Sequence, residues 1–308
     1  MKKAVVTGGA GFIGSHLAEE LSQRDYHLTI LDNLSTGKRA NIAPLLAKKN
    51  VEFIQGSITD LPLLQKLFKN TDFIFHLAAI ASVPRSIEEP QLCHETNVTG
   101  TLNVLIAARD NKVKKVVNAS SCAIYGDAPG LPKKEDMSIN PLSPYAVTKL
   151  AAENYCQIYQ KVYGLPSVSL RFFNIFGPRQ NPDSEYAAAI PKFIKIKSQG
   201  KEIHIYGDGK ATRDYIYVKD AVNAFILAAE SDASGIYNIG SGKSTTVNEL
   251  VELISKLTGN NTPPIYSPPR PGDILHSLAD ISKARTFGFI PRYNLEQGLK
   301  ETIRYMTS

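Results

Sequence analysis

The first half of the chain alternates short apolar runs with segments whose apolar residues recur at helical spacing, a rhythm that predicts strand and helix by turns. Ala4 to Val6, His27 to Leu31, Val51 to Ile54, Phe73 to Phe75, Val116-Val117 and Val168 to Leu170 read as buried strands. Ser15 to Leu21, Leu61 to Phe68, Asn97 to Asn111 and Tyr145 to Tyr163 read as the helices between them. Such alternation builds an α/β fold around a doubly wound parallel sheet. Past Asn174 the rhythm loosens into Gly177-Pro-Arg-Gln-Asn-Pro182, a helix near Ile190 to Gln199 and a turn at Gly207-Asp-Gly209. Val218 to Glu230 and Ile236 to Gly240 predict one further helix and strand that return to the sheet. The proline-punctuated final third predicts a smaller α/β lobe ending in a helix near Leu295 to Tyr305. The expected division is residues 1–174, with returning segments at about 214–240, for a nucleotide-binding domain, and 175–308 mainly for a substrate lobe.

Between the first predicted strand and the first predicted helix lies Thr7-Gly-Gly-Ala-Gly-Phe-Ile-Gly14. Without Cβ atoms at Gly8, Gly11 and Gly14 the backbone turns tightly and approaches a pyrophosphate, which then sits on the positive end of the helix. A strand, a glycine turn and a helix in that order form the context in which the motif reads as a dinucleotide cradle. The second strand ends at Asp32, eighteen residues beyond Gly14. A carboxylate there accepts both hydroxyls of an adenosine ribose and repels a 2′-phosphate, so NAD is favoured over NADP.

Composition adds exclusions. The 308 residues carry a net charge of +6, but the basic residues are scattered in pairs such as Lys48-Lys49 and Lys114-Lys115, which argues against nucleic acid and for an anionic small substrate. No run approaches the roughly 18 apolar residues of a membrane span, and Met1-Lys2-Lys3 with one apolar triplet is too short for a signal peptide. The expectation is a soluble, cytoplasmic protein. Cys93, Cys122 and Cys156 show no metal-ligand spacing and leave an odd thiol, which suits a reducing compartment and predicts no metal.

The candidate chemistry centres on Tyr145-Ala-Val-Thr-Lys149, which places a phenol and an ammonium one helical turn apart on a single face. A neighbouring cation favours phenolate and lowers a tyrosine pKa that is otherwise too high for a base at neutral pH. Ser120-Ser121 follows the Val116-Val117 strand and should emerge at the carboxyl edge of the sheet, where open α/β folds bind ligands. A hydroxyl there can pass a proton between a substrate oxygen and Tyr145.

Together these stretches resemble the extended short-chain dehydrogenase/reductases, with a Rossmann-type sheet, and most closely the UDP-hexose 4-epimerases. The resemblance spans the chain through Thr7 to Gly14, Asp32 to Gly37, His76-Leu-Ala-Ala79, Ser120 to Gly126, Tyr145 to Lys149, Arg171-Phe-Phe-Asn174, Arg213-Asp214 and Arg270-Pro-Gly-Asp273. Ser82 to Ser86, Asn140 to Pro144 and the run from Arg179 to Pro191 are similar to the UDP-N-acetylglucosamine 4-epimerase branch. The resemblance implies a triad of Ser121, Tyr145 and Lys149; Ser121 rather than Ser120 follows from counting four places back from Tyr125. It implies NAD contacts at Gly8, Gly11, Phe12, Ile13, Gly14, Asp32, Asn33, Ser35, Gly37, Ser57, Ile58, Leu77, Ala78, Ala79, Ala119 and Phe172, besides Tyr145 and Lys149. For a UDP-sugar it implies Ser82, Asn174, Gln180, Ala189, Ile190, Tyr206 beside the uracil, Arg213 and Arg270 on the diphosphate, Asp273 on the uridine ribose, and Ser277 beside the sugar. A homodimer is also expected from it.

Two positions depart from the family pattern. Ser57 stands where an acid often contacts adenine, with Asp60 nearby, and Cys122 stands where a third serine is common, expected as a small buried filler. Ser277 is small where enzymes restricted to UDP-glucose and UDP-galactose carry tyrosine, so an acetamido group should fit and UDP-GlcNAc/UDP-GalNAc is expected, with UDP-Glc/UDP-Gal also open. Alternatives are a UDP-glucuronate 4-epimerase, a nucleotide-sugar 4,6-dehydratase, which would carry Asp-Glu at Cys122-Ala123, and a non-catalytic dinucleotide-binding protein.

Overall fold

A computed structural model describes residues 1–183, 188–269 and 274–307. The chain opens with β1 (Lys2–Thr7), α1 (Phe12–Ser22), β2 (Tyr26–Asp32), β3 (Val51–Gln55), α2 (Leu61–Leu67) and β4 (Phe73–His76). It continues with α3 (Val83–Glu88), α4 (Pro90–His94), a π-helical turn Glu95–Thr99, α5 (Gly100–Asp110), β5 (Lys115–Ser121), α6 (Pro144–Tyr163) and β6 (Ser167–Phe172). The smaller elements are β7 (Asn174–Phe176), α7 (Ala189–Ser198), β8 (His204–Tyr206), β9 (Thr212–Arg213) and β10 (Tyr215–Tyr217). Then come α8 (Val218–Glu230), β11 (Gly235–Ile239), β12 (Thr245–Thr246), α9 (Val247–Thr258), β13 (Ile265–Ser267) and α10 (Leu295–Thr307).

Seven strands form one parallel sheet in the order β3-β2-β1-β4-β5-β6-β11. Each central strand carries an apolar stretch buried on both faces, Ala4 to Val6 in β1, Ile74-Phe75 in β4 and Val116-Val117 in β5, as a covered sheet requires. One face buries Val6, Leu28, Ile30, Phe75 and Val117 against α1 and α8; the other buries Val5, Ile74 and Val116 under α2, α5 and α6. Chain order reverses between β1 and β4, so the loops after β1, β4 and β5 open a crevice at the carboxyl edge, where such sheets bind ligands. The segment predicted to return to the sheet does so as α8 and β11.

The helix expected over Asn97 to Asn111 instead begins in the π-helical turn, continuous with α4. The cause is visible in Asn97, whose buried amide holds both backbone groups of Ile80 and the Thr148 hydroxyl at 2.8–3.0 Å, contacts a regular turn would misdirect. The proline-rich third also contains α9, a helix its composition does not predict, although Thr246 and Glu249 close a capping box at its start. No helix of the described residues is long and apolar enough to cross a membrane.

Candidate functional site

The glycine turn is built with no spare room. Gly8 has φ +70°, its N–H donates to Leu31 O at 2.8 Å, and a Cβ there would lie 2.7 Å from Ala78 N. A Cβ on Gly14 would lie 2.2 Å from Gly8 O. Side chains at either position would force the β1 turn away from α1 and β4. Gly11 caps α1 without a side-chain hydrogen bond, and its first turn holds no acidic residue. The first N–H groups of this helix therefore face the crevice as free donors, ready for an anion.

Asp32 closes β2 with its carboxylate accepting from Ala10 N at 2.9 Å and Leu34 N at 2.8 Å. A Cβ on Gly37 would come within 2.8 Å of both carboxylate oxygens, so the glycine lets the loop fold over the acid. Gly37 supports Asp32 from outside the cavity wall, which Asn33, Ser35, Ser57 and Ile58 line. The Ser57 hydroxyl is engaged with Thr59 in a turn, and Asp60 caps α2 by accepting from Leu63 N at 3.0 Å. Asp60 is thus spent on the helix and does not stand in for the acid missing at Ser57.

The strand ends meet the cradle through a hydrogen-bonded chain. Thr7 Oγ1 accepts from Leu77 N and Ala78 N, so its proton goes to His76 Nδ1 at 2.8 Å. His76 Nε2 then donates to Thr101 Oγ1 at 2.9 Å. Burial pushes the His76 pKa down to about 3, and the ring is the neutral Nε2–H tautomer. Leu77, Ala78 and Ala79 are held against the same cavity, with Ala119 and Phe172 further along its wall.

At the end of β5 alternation separates two serines. Both serines border the cavity, but the Ser120 hydroxyl donates to Glu153 at 2.9 Å, while Ser121 Oγ accepts from Ala123 N at 3.1 Å. Ser143 and Pro144 start α6, and Tyr145 N donates to Ser86 Oγ at 3.0 Å, which fixes the first turn beside the crevice. The Tyr145 phenol is hydrogen-bonded to Ser121. One turn on, Lys149 Nζ donates to Ala119 O at 2.8 Å. Burial raises Tyr145 to about 12, with the Ser121 bond opposing it, and lowers Lys149 to about 8. The expected lowering of Tyr145 by Lys149 is therefore corrected for the chain by itself: the dry pocket outweighs the cation, whose ammonium is turned toward the β5 carbonyl.

On the far side Asn174, Gln180, Arg213 and Ser277 line the same cavity, whose volume of about 850 Å³ is near the upper end for small-molecule sites. Arg213 is braced by the carbonyls of Thr212 and Leu275, and Ser277 N donates to Thr212 O at 3.1 Å. Asp214, fully buried, accepts from Ser241, Gly242 and Ala279, so it is committed to holding the loop. Cys122 lines the cavity, half-buried, with its thiol bonded to Ser277 and pushed up to about 12 by burial. It packs against Tyr125, Phe173, Ala279 and Ile281 and at the same time forms part of the wall.

Other expected contacts fall elsewhere. Ser82 caps α3, accepting from Arg85 N at 3.2 Å, and does not line the cavity. Ile190 is 2% exposed inside the core between α7 and α9, Ala189 is exposed at the start of α7, and Tyr206 is exposed at the end of β8; none of the three reaches the cavity wall. Arg270 and Asp273 lie outside the described residues. Lys38, Arg85, Arg179 and His276 also line the cavity, basic side chains within or beside the stretches singled out in the sequence but without a contact predicted for them. Asp32 is the one acid among the described lining residues, so the site suits ligands that bring their own negative charge.

A family model described as NAD dependent epimerase/dehydratase family matches residues 4–240. The putative UDP-glucose 4-epimerase of Methanocaldococcus jannaschii is 40% identical over 98% of this chain and 97% of its own length. The solved UDP-N-acetylglucosamine 4-epimerase from Methanobrevibacter ruminantium M1, in complex with UDP-N-acetylmuramic acid, is 45% identical with a TM-score of 0.96, covering 99% of this chain and 98% of that one. The UDP-glucose 4-epimerase of Thermus thermophilus, solved in complex with NAD, is 38% identical with a TM-score of 0.89, covering 99% of each chain.

Proposed function

The chain belongs to the NAD-dependent epimerase/dehydratase family as a UDP-sugar 4-epimerase, and we propose that its sugar is N-acetylated, so that UDP-GlcNAc and UDP-GalNAc interconvert in its cavity. The cradle fits the cofactor: Gly8 and Gly14 leave room only for backbone, α1 offers free N–H donors, and Asp32 offers a carboxylate for ribose hydroxyls. NAD, when bound, supplies the two-electron acceptor and donor for C4 and, oxidised, brings a positive charge into the dry pocket in which Tyr145 titrates. With the cofactor bound as hydride acceptor for C4, Tyr145 would take the proton of the sugar 4-hydroxyl, relayed by Ser121, as C4 becomes a ketone. Arg213 and Asn174 hold the UDP diphosphate while the 4-keto sugar turns over. With the cofactor returning its two electrons at the opposite face of C4, Tyr145 would give back the proton, so no net oxidation would result. Lys149 keeps the Ala119 edge and the Tyr145 turn in register.

The observation that carries the sugar assignment is Ser277, a small residue at the cavity wall whose side chain is hydrogen-bonded to the Cys122 thiol. A tyrosine there would fill the space an acetamido group needs. The neutral Cys122 also speaks against the dehydratase alternative, since a thiol held near 12 offers no ionised group for removing water. Ser277→Tyr tests the assignment: kcat/KM for the acetylated pair should fall about 10- to 100-fold relative to UDP-Glc/UDP-Gal, because overpacking costs about 1–3 kcal/mol. An equal fall for all four sugars would remove Ser277 as the gate.

Residues 1–174 with about 214–240 are taken as the cofactor domain and 175–308 mainly as the substrate lobe. A cytoplasmic homodimer completes the reading. Three free thiols suit a reducing compartment, and Val147, Ile158 and Val162 expose 52%, 50% and 61% of their surface along α6, a face suited to a second copy.

A further inference from the structure

Two buried polar atoms on the cavity wall, Arg179 Nη1 and Gln180 Oε1, have no hydrogen-bond partner among the described residues. Gln180 is already assigned to substrate; Arg179 has no role in the site so far. It stands in the turn between β7 and α7 with φ +67°, in the left-handed region that a residue with a Cβ occupies only when its surroundings impose it.

The surroundings that impose it come from α1. His16 Nε2 donates to Pro178 O at 2.9 Å, with its ring set edge-on to Phe12, and Glu19 accepts from Arg179 Nη2. One arm of the guanidinium is therefore tied to the helix that the glycine turn opens. The other arm, Nη1, is shut off from solvent and has no partner among the described residues, in a residue that lines the same cavity as Gly11, Phe12 and Gly14. The ion pair is lopsided, since the Glu19 side chain is 39% exposed and that of Arg179 only 17%. A contact serving only to dock the turn on α1 would leave the guanidinium in water, not strip it of solvent with an unused donor.

We propose that Arg179 is a ligand of the cofactor's diphosphate, Nη1 donating to a diphosphate oxygen while Glu19 holds the plane of the guanidinium through Nη2. The forked, permanently charged group suits phosphate, and it adds a side-chain cation to the free N–H groups of α1. Its anchors decide which diphosphate it meets. His16 and Glu19 belong to α1, the helix that the glycine turn opens, whereas Arg213 is braced by the carbonyls of Thr212 and Leu275.

The test is calorimetry on cofactor-stripped protein with NAD, ADP-ribose and adenosine, which does not depend on the sugar the enzyme turns over. Arg179→Met should lower affinity for NAD and ADP-ribose about 10- to 100-fold, the loss expected for a hydrogen bond to a charged group, and leave adenosine unchanged. Glu19→Gln, which weakens the brace but keeps the ligand, should have a clearly smaller effect. If Arg179→Met binds NAD as the wild type does, or loses adenosine equally, or is matched by Glu19→Gln, the assignment is overturned and the contact is docking alone. Should the methionine variant not fold, Arg179→Lys carries the same test: it keeps the charge without the fork, and its smaller loss should again be confined to the two diphosphate ligands.

Discussion

Lys149→Met should make the cofactor-free protein more stable at neutral pH while removing its activity. The ammonium is buried, and burial lowers its pKa from the ordinary 10.5 to about 8. The difference corresponds to about 3 kcal/mol by which the native state disfavours the charge at pH 7. Against this stands the hydrogen bond to Ala119 O, whose loss leaves a carbonyl short of a partner at about 1 kcal/mol. The net expectation at pH 7 is a gain of about 2 kcal/mol for the methionine variant. Its sign with pH follows from linkage. Between about 8 and 10.5 the unfolded chain keeps the lysine proton and the native state has lost it, so wild-type stability rises with pH and the advantage of Lys149→Met shrinks. From pH 7 to 9.5 the difference should close by about 2 kcal/mol. Urea unfolding of both stripped proteins at those two pH values measures it. A variant less stable than wild type at pH 7, or a difference that does not move with pH, would refute the view that the site holds its cation at a cost to the fold.

Tyr145→Phe should fold and retain NAD but lose about 10²- to 10⁴-fold in epimerase rate, since the ring remains while the ionisable oxygen goes; a variant keeping a tenth of the wild-type rate would remove Tyr145 as the base. His76, neutral in its buried chain with a pKa near 3, gives the opposite pH sign to a paired histidine. As pH falls below about 6.5 the unfolded chain takes up a proton the native state refuses, so stability present at pH 7.5 is lost toward pH 4 by about 3 kcal/mol. His76→Gln should flatten that part of the profile in urea unfolding, and an unchanged acid slope would show that the ring is not the group responsible.

The strands of the central sheet were legible because a sheet covered on both faces writes itself as continuous apolar runs. The pair Tyr145 and Lys149 was legible because a helix brings residues four apart onto one face. What spacing does not carry is the medium around them, and here burial reverses the expected direction of the Tyr145 pKa. Ser82 illustrates another limit: the same hydroxyl suits a sugar contact and a helix cap, and the Arg85 N–H claims it. Arg179 lay beyond reach because its meaning rests on Glu19, 160 residues away along the chain. The capping box of α9 is readable in principle, since Thr246 and Glu249 have the required spacing, but the prolines that follow in that third mask it with a loop-like composition.

The choice between Ser120 and Ser121 joins the fold to the chemistry. Counting from Tyr125 selects Ser121, and the structure supplies the reason in what Ser120 does. Ser120 donates to Glu153, which also receives Arg171, and both charged side chains are almost fully buried. Arg171 in turn donates to the Tyr125 hydroxyl at 2.9 Å, and that hydroxyl donates to Asn238 at 2.7 Å. The network thereby ties β5 to α6, β6 and β11 beneath the edge from which Ser121 projects. A buried ion pair of this kind adds little net stability, yet breaking it costs about 3–5 kcal/mol, so its geometry is strongly enforced. Because side chains alternate along β5, tying the Ser120 hydroxyl to Glu153 turns Ser121 the other way, against the Tyr145 phenol. The two serines are chemically equal and both border the cavity, and the charge pair under the sheet decides which of them has its hydroxyl tied to Glu153.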